Sequence, residues 1–262
     1  MAPPDPDSYL ARIGLDPGAV ATPDRDALQR LQRAHVTSVP FETLAITGDP
    51  HGDRAGEGVT LTLPHLYEKI VERERGGFCF ELNGLFGWLL AALGFDVDRV
   101  AARVDDAPPA NHHSHLVHLD RTYVVDVGLG GTRLRRPLPL DGTSVSDSAG
   151  ITWRVVRSER PDVDYVVAAR DPGEDAWSDR YVLDATPRPL SYFEATCDYL
   201  GTAPESPFTG DPSVSLATEE GRKKLAPETL TRFVDGTERV EPVDPGEWYD
   251  VLEAEFGVAY QE

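Results

Sequence analysis

The chain changes its hydrophobic period near Gly94, and that change limits its architecture more than any single motif. Before it, apolar residues recur at helical spacing: Leu28 and Leu31 mark one stripe, and residues 80–93 form a longer pattern that Gly94 is placed to end as a left-handed cap. Thr22 can cap the first of these helices with Pro23 at its first position, and Pro40 forces the backbone out of helix. Beyond Gly94 the pattern predicts strands at 99–104, 116–119, 123–127, 151–156, 165–169 and 181–183. Helical patterns return at 227–233 and 245–256, while 48–58 and 135–148 read as irregular surface segments able to border a site. Helices, a β block and a mixed tail make an α+β layout.

At 262 residues and 40% hydrophobic content, the chain can bury a sizeable core. It has no stretch of about 18 apolar residues to span a bilayer. Its first residues, Met1-Ala2-Pro3-Pro4-Asp5-Pro6-Asp7, lack the basic and apolar regions of a secretory signal, so the expected compartment is the cytoplasm. Two cysteines, Cys79 and Cys197, are too few for a disulfide framework and fit reduced thiols. A net charge of −20 argues against nucleic acid or an anionic membrane as partner, because such binding needs clustered Lys and Arg. Lysine is represented only by Lys69, Lys223 and Lys224; abundant acid with scarce lysine points to adaptation to a high-salt interior.

The run Arg75-Gly76-Gly77-Phe78-Cys79-Phe80-Glu81-Leu82-Asn83 sets one cysteine between a glycine turn and the start of an apolar helix. Unpaired backbone N–H groups and the positive helix end favour a thiolate there, although a buried cysteine is also an ordinary small hydrophobe. Downstream stand His112-His113-Ser114-His115 with His118, then Tyr123-Val124-Val125-Asp126-Val127-Gly128. Cysteine, histidine and acid are the parts of a nucleophile, base and orienter. Asp126 sits within an apolar strand, where a carboxylate needs a partner.

This order of Cys, His and Asp, the last two in one hairpin, resembles the arylamine N-acetyltransferase family. The resemblance extends over Tyr9-Leu10, Arg12-Ile13-Gly14-Leu15, Ala34-His35, Val39-Pro40-Phe41-Glu42, the cysteine run, Asn111-His112 and Asp126-Val127-Gly128-Leu129-Gly130-Gly131. It continues more weakly at Tyr199-Leu200 and Ser206-Pro207-Phe208-Thr209. It implies a helical bundle (1–94) carrying the nucleophile, a barrel-like β domain (95–190) carrying His and Asp, and an α/β lid (191–262), with a papain-like triad. It also implies a ping-pong cycle with acetyl-CoA as donor and an arylamine, hydrazine or arylhydroxylamine as acceptor, in a monomer or small homo-oligomer.

Within the resemblance, Cys79 is the acyl carrier, and Phe41, Phe80, Asn111, Gly128, Leu129 and Gly130 border the substrate. Leu129 stands where the family usually has Phe, which leaves arylamine stacking open and fits a differently shaped acceptor. The family register points to His112 as base and Asp126 as its partner. Pure hairpin geometry disagrees: a two-residue loop at Asp120-Arg121 sets His115 opposite Asp126, so His113 and His115 stay candidates. Alternating imidazoles also suit zinc, but no Cys-x-x-Cys or His-Glu-x-x-His accompanies them, and no metal is expected. Arg75 and Glu42 are expected to form a structural ion pair, and Cys197 a structural thiol. An amide synthase or cysteine hydrolase using the same triad, and a non-catalytic acyl-CoA-binding relative, are the alternatives.

Overall fold

The structure is a computed structural model and describes residues 3–104, 107–130, 134–234 and 236–260. Gly131, the last glycine of the run after Asp126, lies outside the described residues.

The N-terminal third is helical: α1 (Pro6–Arg12), α2 (Arg25–Ser38), the short α3 (Leu44–Thr47), α4 (Leu63–Tyr67) running into a π-helical turn, and α5 (Cys79–Ala92). Asp24 caps α2, accepting the N–H of Ala27 at 2.8 Å, so the cap falls two residues beyond Thr22 and Pro23 lies before the helix; the Asp24 carboxylate is an N-cap acceptor whose charge also suits the positive helix end. The helix α5 is largely apolar and mostly buried, with Leu93 as its C-cap and Gly94 following at φ 87°. A two-residue strand, β1 (Phe41–Glu42), interrupts the helices.

Eight antiparallel strands follow: β2 (Asp96–Arg103), β3 (His112–His118), β4 (Thr122–Val125), β5 (Leu138–Pro139), β6 (Val145–Ser146), β7 (Thr152–Arg157), β8 (Tyr165–Arg170) and β9 (Ser178–Pro187). Their order is β5-β4-β3-β2-β9-β8-β7-β6, and the sheet curls until β5 meets β7, giving a nearly closed barrel. Val100, Leu116, Val124, Trp153, Val167 and Leu183 fill its interior. The other face of β3 and β4 joins α1, α2 and α5 in the largest core.

Beyond α6 (Glu194–Thr202), a second antiparallel sheet runs β1-β10-β11-β12-β13, from β10 (Val214–Ala217), β11 (Gly221–Leu225), β12 (Thr229–Val234) and β13 (Thr237–Pro242). The helix α7 (Trp248–Phe256) packs on it through Trp248, Leu252 and Phe256. The expected helix at 227–233 is therefore a strand. Its β-branched Thr229, Thr231 and Val234 favour extended backbone, and Leu230 alone of its apolar residues is buried, as a half-exposed strand requires. Because β1 pairs with β10, Phe41 is drawn into the same wall as residues far downstream.

Candidate active site

Cys79 is the first residue of α5 and is buried. Burial pushes its thiol well up, and Cys197, Asp126 and Glu81 act in the same direction; the N–H of Phe80 favours the anion but does not offset them. A helix start alone therefore does not ionise this sulfur. Its proton needs a base. The Sγ stands 4.0 Å from the carbonyl oxygen of Asn111, the residue before β3.

That oxygen is in place because the Asn111 side chain is a clamp. Its Oδ1 accepts the N–H of Val104 at 2.9 Å and its Nδ2 donates to the Val104 carbonyl at 3.2 Å, tying the two ends of the β2–β3 connection. His112 follows at the start of β3, and its Nε2 donates to Asp126 Oδ2 at 2.6 Å, both groups buried. With Nε2 committed to the carboxylate, Nδ1 is the nitrogen left for a proton from outside the pair.

Asp126 lies just past β4, and its other oxygen accepts Asn83 Nδ2 at 2.9 Å and the N–H of Gly128 at 2.8 Å. Burial acts to raise its pKa, but His112, Asn83 and Gly128 outweigh burial and hold the carboxyl below its usual range. Asn83 stands four residues after Cys79, on the same face of α5. It also donates to the His113 carbonyl at 2.6 Å and accepts the N–H of Val127 at 2.9 Å, joining the helix of Cys79 to both sides of the hairpin. Sequence reasoning passed over it. A lone amide four residues from a cysteine inside an apolar helix is the signal that marks it.

The other histidines turn away from this arrangement. The β3–β4 pairing sets His118 opposite Thr122 and His115 opposite Val125, so the loop holds three residues and not the two that hairpin geometry suggested. Leu119 N–H donates to the Arg121 carbonyl across that loop, which takes Leu119 out of the ladder. His113 and His115 project from the opposite face of β3, against α5. His113 stacks on Phe193 with ring centroids 4.8 Å apart, and His115 lies so close to Gly87 that a Cβ there would stand 2.3 Å from its Nε2. Burial drives the pKa of both well below the usual histidine value, which keeps them neutral.

Cys79, Asn111 and His112 open onto one cavity of about 690 Å³. Phe41, Gly128, Leu129 and Gly130 line it. The two glycines are also demanded by packing: a Cβ on Gly128 would meet the Cys79 backbone at 2.8 Å, and one on Gly130 would meet the Phe41 ring at 3.0 Å. Phe80 is the correction. Its ring is fully buried between Phe78, His113 and Phe193 and does not line the cavity, because helical periodicity turns the residue after Cys79 into the core. The far wall comes from the C-terminal part of the chain, where Tyr199 and Phe208 add aromatic surface, and Arg222 and Lys224 of β11 add positive charge. Tyr199 and Phe208 fall in the weaker stretches of the resemblance; the two cations gave no signal, since a strand alternating charged residues reads as a solvated face. The irregular segments at 48–58 and 135–148 contribute no described residue to the lining. Among the described residues no group of three or more His, Cys, Asp or Glu could hold a metal ion.

A family model described as N-acetyltransferase matches residues 24–262. The arylamine N-acetyltransferase of Mycolicibacterium smegmatis is 35% identical over 262 residues, spanning 95% of this chain and 90% of its own. The chain belongs to the arylamine N-acetyltransferase family. Within that family, a pineal gland isozyme from Gallus gallus is 30% identical over 86% of this chain and 82% of its own. Among solved arylamine N-acetyltransferases, a Mycobacterium smegmatis variant superimposes with a TM-score of 0.83 at 33% identity, covering 97% and 92% of the two chains. The Mycobacterium marinum enzyme in complex with CoA gives 0.82 at 29% identity, covering 97% and 93%. No helix among the described residues is long and apolar enough to cross a membrane.

Proposed function

We propose that this acyltransferase moves an acetyl group from acetyl-CoA through a thioester on Cys79 to an arylamine, hydrazine or arylhydroxylamine, with His112 as base and Asp126 as its orienter. The observation that carries the reading is the 2.6 Å bond between His112 Nε2 and Asp126 Oδ2 on the wall of the cavity onto which Cys79 opens. His112 Nδ1 takes the thiol proton, and Asp126 stabilises the resulting imidazolium. The thiolate attacks the acetyl carbonyl, a C–S bond to Cys79 forms, the C–S bond to CoA breaks, and the CoA sulfur leaves with the proton from His112. The acceptor nitrogen then attacks the new thioester, His112 takes its proton, and Cys79 is released. One thioester replaces another in the first half, so neither state is an energetic trap.

The cavity's two kinds of wall support the two substrates. Phe41, Leu129, Tyr199 and Phe208 suit a flat apolar acceptor, while Arg222 and Lys224 suit the phosphates of a nucleotide-bearing donor. The CoA complex of the Mycobacterium marinum relative supports the same donor. Initial rates measured against both substrates test the cycle: parallel double-reciprocal lines are expected, and intersecting lines would exclude a free acetyl-enzyme.

A further inference from the structure

The turn that delivers Cys79 rests on four buried charges. Arg75 Nη2 donates to Glu42 Oε1 at 2.7 Å, confirming that ion pair, and Lys69 Nζ stands 3.6 Å from the same carboxylate. Lys69 also bonds both oxygens of Glu81, at 2.8 and 2.9 Å, and Glu81 Oε2 accepts the N–H of Phe78 at 3.1 Å. Two acids and two cations balance, but losing any one contact leaves a buried charge short of a partner beside the residue that precedes the nucleophile. Gly76 is part of the same joint: a Cβ there would meet the Pro40 carbonyl oxygen at 2.2 Å.

The outer side of Arg75 is closed by a residue from far downstream. Tyr260 is buried, and two guanidinium groups lie over its ring, with Arg75 Cζ 4.7 Å and Arg54 Cζ 4.9 Å from its centroid. Arg54 Nη1 also donates to the Tyr260 carbonyl at 2.5 Å. A desolvated guanidinium over a tyrosine face is attracted by the ring quadrupole. Arg75 has a second carboxylate within reach, Glu57 at 3.6 Å, whose side chain is 40% exposed. Without the ring, the guanidinium is free to turn toward Glu57 and water, away from Glu42.

We propose that Tyr260 is a positioning residue for the nucleophile: its ring holds Arg75 on Glu42 and thereby fixes the turn at 75–78 from which Cys79 enters the cavity. Tyr260 does not line that cavity, so it acts only through Arg75. The inference rests on the reading of Cys79 as acyl carrier.

The test is single-turnover acetylation of Cys79 by acetyl-CoA, read by mass, in the full chain carrying Tyr260→Phe, Tyr260→Leu, or pentafluorophenylalanine at position 260. Tyr260→Phe is expected to match the wild type. Tyr260→Leu and the fluorinated ring are expected to slow the saturating acetylation rate roughly tenfold, with the half-saturating acetyl-CoA concentration unchanged. Should the leucine variant fail to fold, the fluorinated ring decides, since it keeps the shape and reverses the quadrupole. Wild-type rates with the fluorinated ring, or a phenylalanine variant as slow as the leucine one, would overturn the proposal. A wild type that takes no acetyl group at all would instead remove the functional reading beneath it.

Discussion

Asn83 Nδ2 donates to Asp126 Oδ1 at 2.9 Å, so the helix that begins with Cys79 also grips Asp126. Replacing Asn83 by Ala strips Asp126 of one donor and leaves the Val127 N–H without its acceptor. An unmade buried hydrogen bond costs about 1–3 kcal/mol. A fall in kcat/KM of roughly tenfold to a hundredfold is expected, with a lower urea midpoint; an Asn83→Ala enzyme with full activity would show that the amide does not orient the acid.

His112→Gln is expected to lower turnover about 10²- to 10⁴-fold, the usual worth of a general base. Because burial pushes the Cys79 thiol up, its alkylation by iodoacetamide at neutral pH should slow in the same variant and recover only at alkaline pH. His113→Gln and His115→Gln should keep the wild-type alkylation profile. Loss of alkylation confined to one of those two would move the base to that position.

Acid lability follows from the neutral pair His113 and His115. Their folded pKa values lie below the unfolded value near 6.5, so the unfolded chain binds more protons as pH falls through that value. Their neutral burial costs nothing above about pH 6.5, and stability is lost progressively as pH falls below it. His115→Leu, which avoids a ring against Gly87, should flatten the decline in urea midpoint between pH 7 and pH 5; an unchanged decline would contradict neutral burial.

Arg222→Ala and Lys224→Ala are expected to raise the KM for acetyl-CoA severalfold each while leaving the KM for the amine unchanged, and the effect should shrink as salt rises. A change confined to the amine would assign these cations to the acceptor instead.

The net charge of −20 predicts a protein that is stabilised and activated by molar potassium chloride, through screening of self-repulsion. Thermal unfolding in dilute buffer and in high salt checks this, and equal midpoints would dismiss adaptation to salt.

Much of this was legible in the residues. Local patterns found α5 with its Gly94 stop and the main strands of the barrel, because a buried helix and buried strands both leave strong apolar periodicities. The histidine that meets Asp126 was harder to read. A one-residue difference in the length of the β3–β4 loop changes which face of β3 turns toward Asp126, that of His113 and His115 or that of His112, and nothing local distinguishes the two until Leu119 is seen to leave the ladder. The resemblance implies an α/β lid at the C-terminus, but its strands are not legible locally, because β11 to β13 carry charged and polar residues on most of their surface and leave little alternation to read. Phe80 was misplaced for the opposite reason: an aromatic beside a nucleophile suggests a pocket, and only the helix phase shows that it points into the core.

The most direct test is peptide mapping by mass after mixing the protein with acetyl-CoA in high salt, first without and then with a small aromatic amine or hydrazine. The account predicts an acetyl group on Cys79 that disappears as acetylated amine accumulates. A folded, alkylatable protein in which Cys79 never carries acetyl would contradict it.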